Sequence, residues 1–227
     1  MKDISLFEEG IGIKFKNKDL LTQALTHRSY LNENPGFKDH NERLEFLGDA
    51  VLELVVTEYL FVNYDKPEGD LTNWRAALVN SKMLAIIAKE LDIDHYLLLS
   101  HGEERDTGRA REFILANAFE ALLGTIYLDK GVDEAKDFIQ KHVLSKLPMI
   151  LKGKLYQDPK SVFQEKAQEK LGITPHYEVL EEWGPDHRKQ FKVGVYLGKD
   201  FVAEAEGISK HTAEKEAAGK ALKVKKW

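Results

Sequence analysis

The chain of 227 residues contains no cysteine. Disulfides, thiolate metal sites and cysteine nucleophiles are excluded at once, and the absence fits a reducing compartment. No window is apolar for the length of a bilayer span, and the opening MKDISLFEEG lacks the apolar run of a signal peptide. The expectation is a soluble cytoplasmic protein. Several reaction classes lose their signatures too. There is no G-x-S-x-G elbow, no glycine-rich phosphate loop of the Walker kind and no H-E-x-x-H, and the eight histidines are scattered. No internal repeat or low-complexity tract is present.

What is there suits one or two globular domains: 43% hydrophobic and 31% charged residues. The net charge of −5 is unevenly spread. Residues 1–155 carry 20 Lys and Arg against 26 Asp and Glu, whereas residues 156–227 carry 13 against 12. Residues 209–227 hold six Lys and two Glu, a local excess that a phosphate backbone can feel although the whole-chain balance hides it.

Apolar periodicity predicts helix after helix up to about residue 149. DLLTQALTHRS (19–29) has a helical stripe, residues 41–64 read as a long helix, and 71–92 read as a helix that breaks near Ser81. HGEERDTG (101–108) reads as a loop, and 130–147 as an amphipathic helix. After the polar segment 151–157, read as a linker, the pattern changes. SVFQEKAQEKLG predicts a helix ending at Gly172. Three period-two runs follow, with Tyr177/Val179, Phe191/Val193/Val195/Leu197 and Phe201/Ala203/Ala205 on one face. An alanine-rich helix capped by Ser209 closes the pattern. The fold class is therefore an all-α domain over 1–150 followed by a small α+β domain, α-β-β-β-α, over 158–227.

Two helical segments carry the chemistry. In NERLEFLGDAVLELVV (41–56), Glu45 and Asp49 are four residues apart and Glu42 stands one turn earlier. In FILANAFEALLGTIYLD (113–129), Asn117 and Glu120 share a face. Packed side by side, these helices would bring oxygen-bearing side chains to one point. Converging carboxylates need a cation, and oxygen-only donors suit Mg²⁺. An acid pair at this spacing is equally what a solvated helix face carries. Gly48, inside the first helix, hints at the close approach of another backbone. His27 suits local hydrogen bonding better than metal binding, and His40 reads as a surface residue at a helix start.

The small domain has the parts needed to span double-stranded RNA. Gln164 and Glu165 on the first helix and the Gly184-Pro185-Asp186-His187 turn can reach successive minor grooves. Ser209, Lys210 and His211 at the second helix start, with Lys215 one turn on, can face the phosphates between them. The plain alternative is a turn and a solvated lysine-rich face.

The chain resembles ribonuclease III. ERLEFLGDAVLE (42–53), ALTHRSYLNEN (24–34), HGEE (101–104) and EALLGTIYLD (120–129) are similar to that family's nuclease segments, and QEKAQEKLG, GPDH and GISKHTAEKEAA to its double-stranded RNA-binding domain. The resemblance covers nearly the whole chain. It implies a homodimeric, Mg²⁺-dependent endonuclease acting on double-stranded RNA, with Mn²⁺ as a substitute ion, in rRNA and mRNA processing. Products would carry 5′-phosphates, 3′-hydroxyls and two-nucleotide 3′ overhangs. It implies Glu45, Asp49 and Glu120 as metal ligands, with Asp49 and Glu120 catalytic. Glu42 and Glu68 would be acids near the substrate, and Phe46 would pack across the dimer interface. One departure matters: where the family usually has Asp, in a pattern like ILADAFEAL, this chain has Asn117, an amide ligand without charge. The alternative is thus a catalytically impaired dimer that binds double-stranded RNA. His211, where Lys is usual, is a smaller departure.

Overall fold

The computed structural model describes residues 3–185 and 189–227, which form two compact units, one running through Tyr156 and one beginning at Gln157. The first unit is helical: α1 (Ile4–Ile11), α2 (Lys18–Ala24), α3 (Arg28–Leu31), α4 (Glu42–Asn63), α5 (Glu68–Val79), α6 (Ser81–Glu90), α7 (Ile93–Tyr96), α8 (His101–Glu104), α9 (Arg109–Lys130), α10 (Val132–His142) and α11 (Leu147–Lys152). A 3₁₀ turn at Leu144–Lys146 leads into α11.

The 22-residue helices α4 and α9 are the centre of this unit. From Ile114 to Ile126, every residue of α9 except Asn117 and Glu120 is buried. Leu52 and Val56 of α4, Leu84 and Ile87 of α6, and Leu115 and Phe119 of α9 are fully excluded from water and belong to one continuous core. Long buried helices of this kind owe their stability to tertiary packing more than to intrinsic propensity. The far end of α9 is tied to the start of α2, because the Asp129 carboxylate accepts from the Lys16 and Asn17 amides, each at 2.9 Å.

Three details of this unit depart from the sequence reading. The stripe over 19–29 does not give one helix. The α2 helix stops at Ala24 because the next residues pair with a distant strand-like segment: Leu98 N donates to Leu25 O at 2.8 Å and His27 N to Leu98 O at 3.0 Å. HGEERDTG is partly helical, since the Ser100 hydroxyl caps α8 by accepting from the Glu103 amide. Residues read as linker also belong in part to the first unit. Helix α11 runs to Lys152, and Tyr156 meets Trp74 edge-on at 6.0 Å between ring centroids.

The second unit is α12 (Pro159–Leu171), β1 (His176–Trp183), β2 (Gln190–Leu197), β3 (Asp200–Gly207) and α13 (Lys210–Lys225). The strands form an antiparallel sheet in the order β1-β2-β3, covered on one face by the helices through Phe163, Ala167, Val195, Ala217 and Ala221. Gly172 ends α12 at φ 68°, the left-handed conformation favoured by glycine. The β3 face differs from expectation at its start. The register slips beside Val195/Tyr196, so Val202 turns inward and Phe201 outward, where it meets Tyr196 edge-on at 5.5 Å.

Candidate active site

Helices α4 and α9 cross where both are narrowest. A β-carbon on Gly48 would lie 1.7 Å from the Glu120 carbonyl oxygen, and one on Gly124 would lie 2.3 Å from the Leu44 carbonyl oxygen. This backbone contact brings the acidic edge of α4 beside that of α9. Glu45 is half-buried, Asp49 exposed, and Asn117 and Glu120 half-buried. Burial, reinforced by the charges of Asp49, Glu45 and Glu53, pushes the Glu120 carboxyl up to about 8. Burial and the neighbouring Glu42 and Asp49 also raise Glu45, against an opposing hydrogen-bond contribution from the Asn117 side chain. So the sequence-predicted set is brought into electrostatic contact.

Among the described residues, Glu45, Asp49 and Glu120 form no ion pair with Lys or Arg. Nor does any group of three or more His, Asp or Glu side chains close to metal-ligand spacing among them. The carboxylates therefore feel one another's charge without forming a closed cage. Three carboxylates and an amide oxygen, uncompensated and partly desolvated, fit a hard divalent cation in donor chemistry. Bringing such an ion in would reverse the upward push on Glu120.

The remaining acids divide. Glu42 is exposed and lies 3.4 Å from Arg28 Nη1, with His40 Nδ1 at 3.9 Å. Glu68, at the first turn of α5, accepts a hydrogen bond from the Thr72 hydroxyl at 2.8 Å. It lines an open cleft of about 760 Å³ with Phe61, Tyr64 and Arg75, a cleft that Glu45, Asp49, Asn117 and Glu120 do not line. Sequence reasoning missed Glu53. It continues the α4 acidic edge one turn beyond Asp49, adds to the field on Glu120, and is held by Arg75 Nε at 3.0 Å. The four-residue step from Asp49 to Glu53 was the available signal.

Two loops brace this end of the unit. The Ser100 amide donates to Ser29 Oγ at 3.1 Å, and His101 Nδ1 lies 2.6 Å from Glu33 Oε2. The His27 ring caps α3 by accepting from the Ser29 amide at 3.3 Å, and burial holds its pKa below the usual value. His40 is half-buried, with Nδ1 accepting from the Glu42 amide at 3.4 Å.

In the second unit, Gln164, Glu165, Pro185, Lys210 and His211 are exposed. Asp186 and His187 lie outside the described residues. The Ser209 hydroxyl caps α13 by accepting from the Thr212 amide at 3.1 Å. Lys210 Nζ sits 5.6 Å from the Phe191 ring centroid, and Lys215 Nζ lies 2.7 Å from Asp158 Oδ2. The α13 start thus presents cations beside exposed backbone amides, a combination that favours anions.

Phe46 is 82% exposed on α4. With Leu54 and Phe61, eight and fifteen residues further, it forms an outward apolar stripe beside the acidic edge. A monomer rarely leaves large apolar residues aligned in this way.

Known proteins are similar to this chain over nearly its whole length. The Ribonuclease-III-like family model matches residues 17–147, and the Double-stranded RNA binding motif matches residues 159–225. Ribonuclease 3 of a Nitratiruptor species is 45% identical over 227 residues, covering 100% of this chain and 98% of that protein. Ribonuclease 3 of Wolinella succinogenes is 43% identical over 226 residues, covering 99% and 92%. The ribonuclease III nuclease domain of Campylobacter jejuni, solved in work on its region involved in dimer formation, is 44% identical with a TM-score of 0.58. That match covers 64% of this chain and 99% of the solved one. The chain belongs to the ribonuclease III family of endoribonucleases and carries a double-stranded RNA binding motif after its nuclease domain.

Proposed function

We propose that the protein is a homodimeric endonuclease that cuts both strands of double-stranded RNA with Mg²⁺. Glu45, Asp49, Asn117 and Glu120 would hold the ion. The single observation that carries this reading is the α4–α9 backbone contact, which sets the helix turn of Glu45 and Asp49 against that of Glu120, whose carboxyl burial and those acids push up. A bound Mg²⁺ supplies an activated water and charge stabilisation for the leaving oxygen of a phosphodiester.

The chain's own residues do the rest. Asp49 and Glu120 would face the reacting centre from two helices, whose backbones meet at Gly48 and Gly124. Glu42 and Glu68 stand toward the substrate. The α13 start, with Ser209, Lys210, His211 and Lys215, holds phosphates, while Gln164, Glu165 and the turn at Pro185, Asp186 and His187 reach the minor grooves. Phe46 packs against a second copy of the chain. The family resemblance supports products with 5′-phosphates and two-nucleotide 3′ overhangs, a cytoplasmic place, and work on ribosomal and messenger RNA precursors. The nuclease domain takes the unit running through Tyr156 and the RNA-binding domain the unit beginning at Gln157.

Asn117 favours a second reading, a dimer that binds double-stranded RNA and cuts poorly. The test is cleavage of a long, fully paired RNA across a Mg²⁺ titration. Cutting by the wild type and its loss in Glu120→Ala support the nuclease. Binding without cutting, restored by Asn117→Asp, supports the binder.

A further inference from the structure

We propose that Gly48 and Gly124 are positioning residues of the acidic site, setting the separation at which α4 and α9 offer their ligands. The inference rests on the metal-site reading above. Its basis is where the backbone contact falls. A β-carbon on Gly48 would meet the Glu120 carbonyl oxygen at 1.7 Å, its carbon at 2.6 Å and the Gly124 amide nitrogen at 2.9 Å. One on Gly124 would meet the Leu44 carbonyl oxygen at 2.3 Å and the Gly48 nitrogen at 3.2 Å. The atoms in the way are backbone of Glu120 itself and of the residue before Glu45. Gly48 in turn directly precedes Asp49.

Backbone inside a helix cannot rotate aside as a side chain can. A methyl group at either glycine is therefore accommodated only by parting or sliding the helices. Further along α4 the buried positions are Val51, Leu52, Val55, Val56 and Leu60, which carry branched side chains where Gly48 has none. The two helices thus touch directly at the turn that bears the acids. If the glycines served packing alone, small residues would suit the crossing anywhere along its length. Their place at the acidic turn assigns them to the spacing of Glu45 and Asp49 against Asn117 and Glu120. A misplacement of about 1 Å at a reacting centre can cost about a hundredfold in rate, and ligand spacing is as sensitive.

The experiment uses the full chain, stripped of metal and titrated with Mg²⁺ or Mn²⁺ alone by calorimetry. Gly48→Ala and Gly124→Ala are compared with Val56→Ala, which opens a cavity in α4 away from the acids. Gly124→Ala has the smaller overlap, and alanine's higher helix propensity favours its folding. Thermal melts and helix content by circular dichroism without divalent ion report on the fold of the first unit, and double-stranded RNA binding on that of the second. The expected result is a tenfold or greater loss of ion affinity in each glycine variant, with RNA binding retained. Val56→Ala should lower the melting temperature and keep its ion affinity. Adding Asp49→Glu to Gly48→Ala, which lengthens the reach, should return part of the loss. Wild-type ion affinity in the glycine variants, or an equal loss in Val56→Ala, would overturn the inference alone. A wild type that takes up no divalent ion sinks the metal-site reading and this inference with it.

Discussion

Lys215 Nζ lies 2.7 Å from Asp158 Oδ2, and the same Asp158 side chain caps α12 by accepting from the Lys160 amide at 2.8 Å. One carboxylate therefore organises the start of one helix and restrains a cation on the other. Asp158→Asn keeps an oxygen for the cap and releases Lys215. Double-stranded RNA affinity should rise, and the salt dependence should steepen by up to about one phosphate contact, a slope change of roughly 0.7 to 0.9. Fluorescence anisotropy over a KCl series measures both. An unchanged slope would mean that Lys215 does not reach the phosphates. Asp158→Ala removes the cap as well and should cost about 0.5–2 kcal/mol of stability.

Asn117→Asp should act in opposite directions with and without metal. Without metal, a further carboxylate beside Glu45 and Glu120 adds repulsion to a site where Glu120 already sits near 8, so the melting temperature should fall. With Mg²⁺ the added charge should tighten binding by on the order of 1–2 kcal/mol after solvent screening, roughly five- to thirtyfold. The half-saturating Mg²⁺ concentration for cleavage should drop accordingly. A lower melting temperature with no change in Mg²⁺ demand would place residue 117 outside the ion's coordination.

The sequence made α4 and α9 legible because their apolar positions recur at helical spacing and their acids share faces at four- and three-residue steps. It also made the αβββα order legible through the change from helical to period-two alternation. What it hid depends on partners far away in the chain. The α2 helix ends at Ala24 because Leu25 and His27 pair with Leu98, although Leu25 continues the apolar stripe. Phe201 faces outward because a slip in pairing reverses the alternation, which no run of side chains announces. The break between α5 and α6, by contrast, was readable near Ser81. There Asn80 accepts from the Met83 amide at 3.0 Å and donates to Ala76 and Ala77 carbonyls. Glu53 went unnoticed because its role arises from a field shared across two helices.

Glu8 predicts a pH effect on stability. Its side chain is almost wholly buried, which by itself raises the carboxyl, but the Lys18 ammonium and the Phe15 amide at 2.7 Å outweigh burial and hold the pKa below normal. A carboxyl depressed in the folded state stabilises the protein above its unfolded pKa, near 4.5, and that stability is lost as pH falls through the folded value. Glu8→Gln should cost about 1–3 kcal/mol at pH 7. The gap between wild-type and variant melting temperatures should narrow as pH drops below about 4.5. A gap constant from pH 7 to pH 3 would mean that shape, not charge, sets the cost.

Phe46 supplies the test of assembly. It stands 82% exposed on α4, sharing a face roughly 80° wide with Leu54 at 66% and Phe61 at 76%. Covering such a stripe removes large apolar side chains from water, worth roughly 1.5–3 kcal/mol for each one fully buried. A symmetric pair buries each residue twice. Phe46→Glu would set a carboxylate in that contact and beside the acids at 42, 45 and 49, so the cost combines lost burial with desolvation and repulsion. The dissociation constant of the pair, by sedimentation across a dilution series, should rise at least a hundredfold. Phe46→Leu should shift it far less. Cleavage of both strands should fall with dimer population, and single-stranded nicks should appear at concentrations where monomer dominates. A dimer of undiminished strength in Phe46→Glu would move the interface off this face of α4.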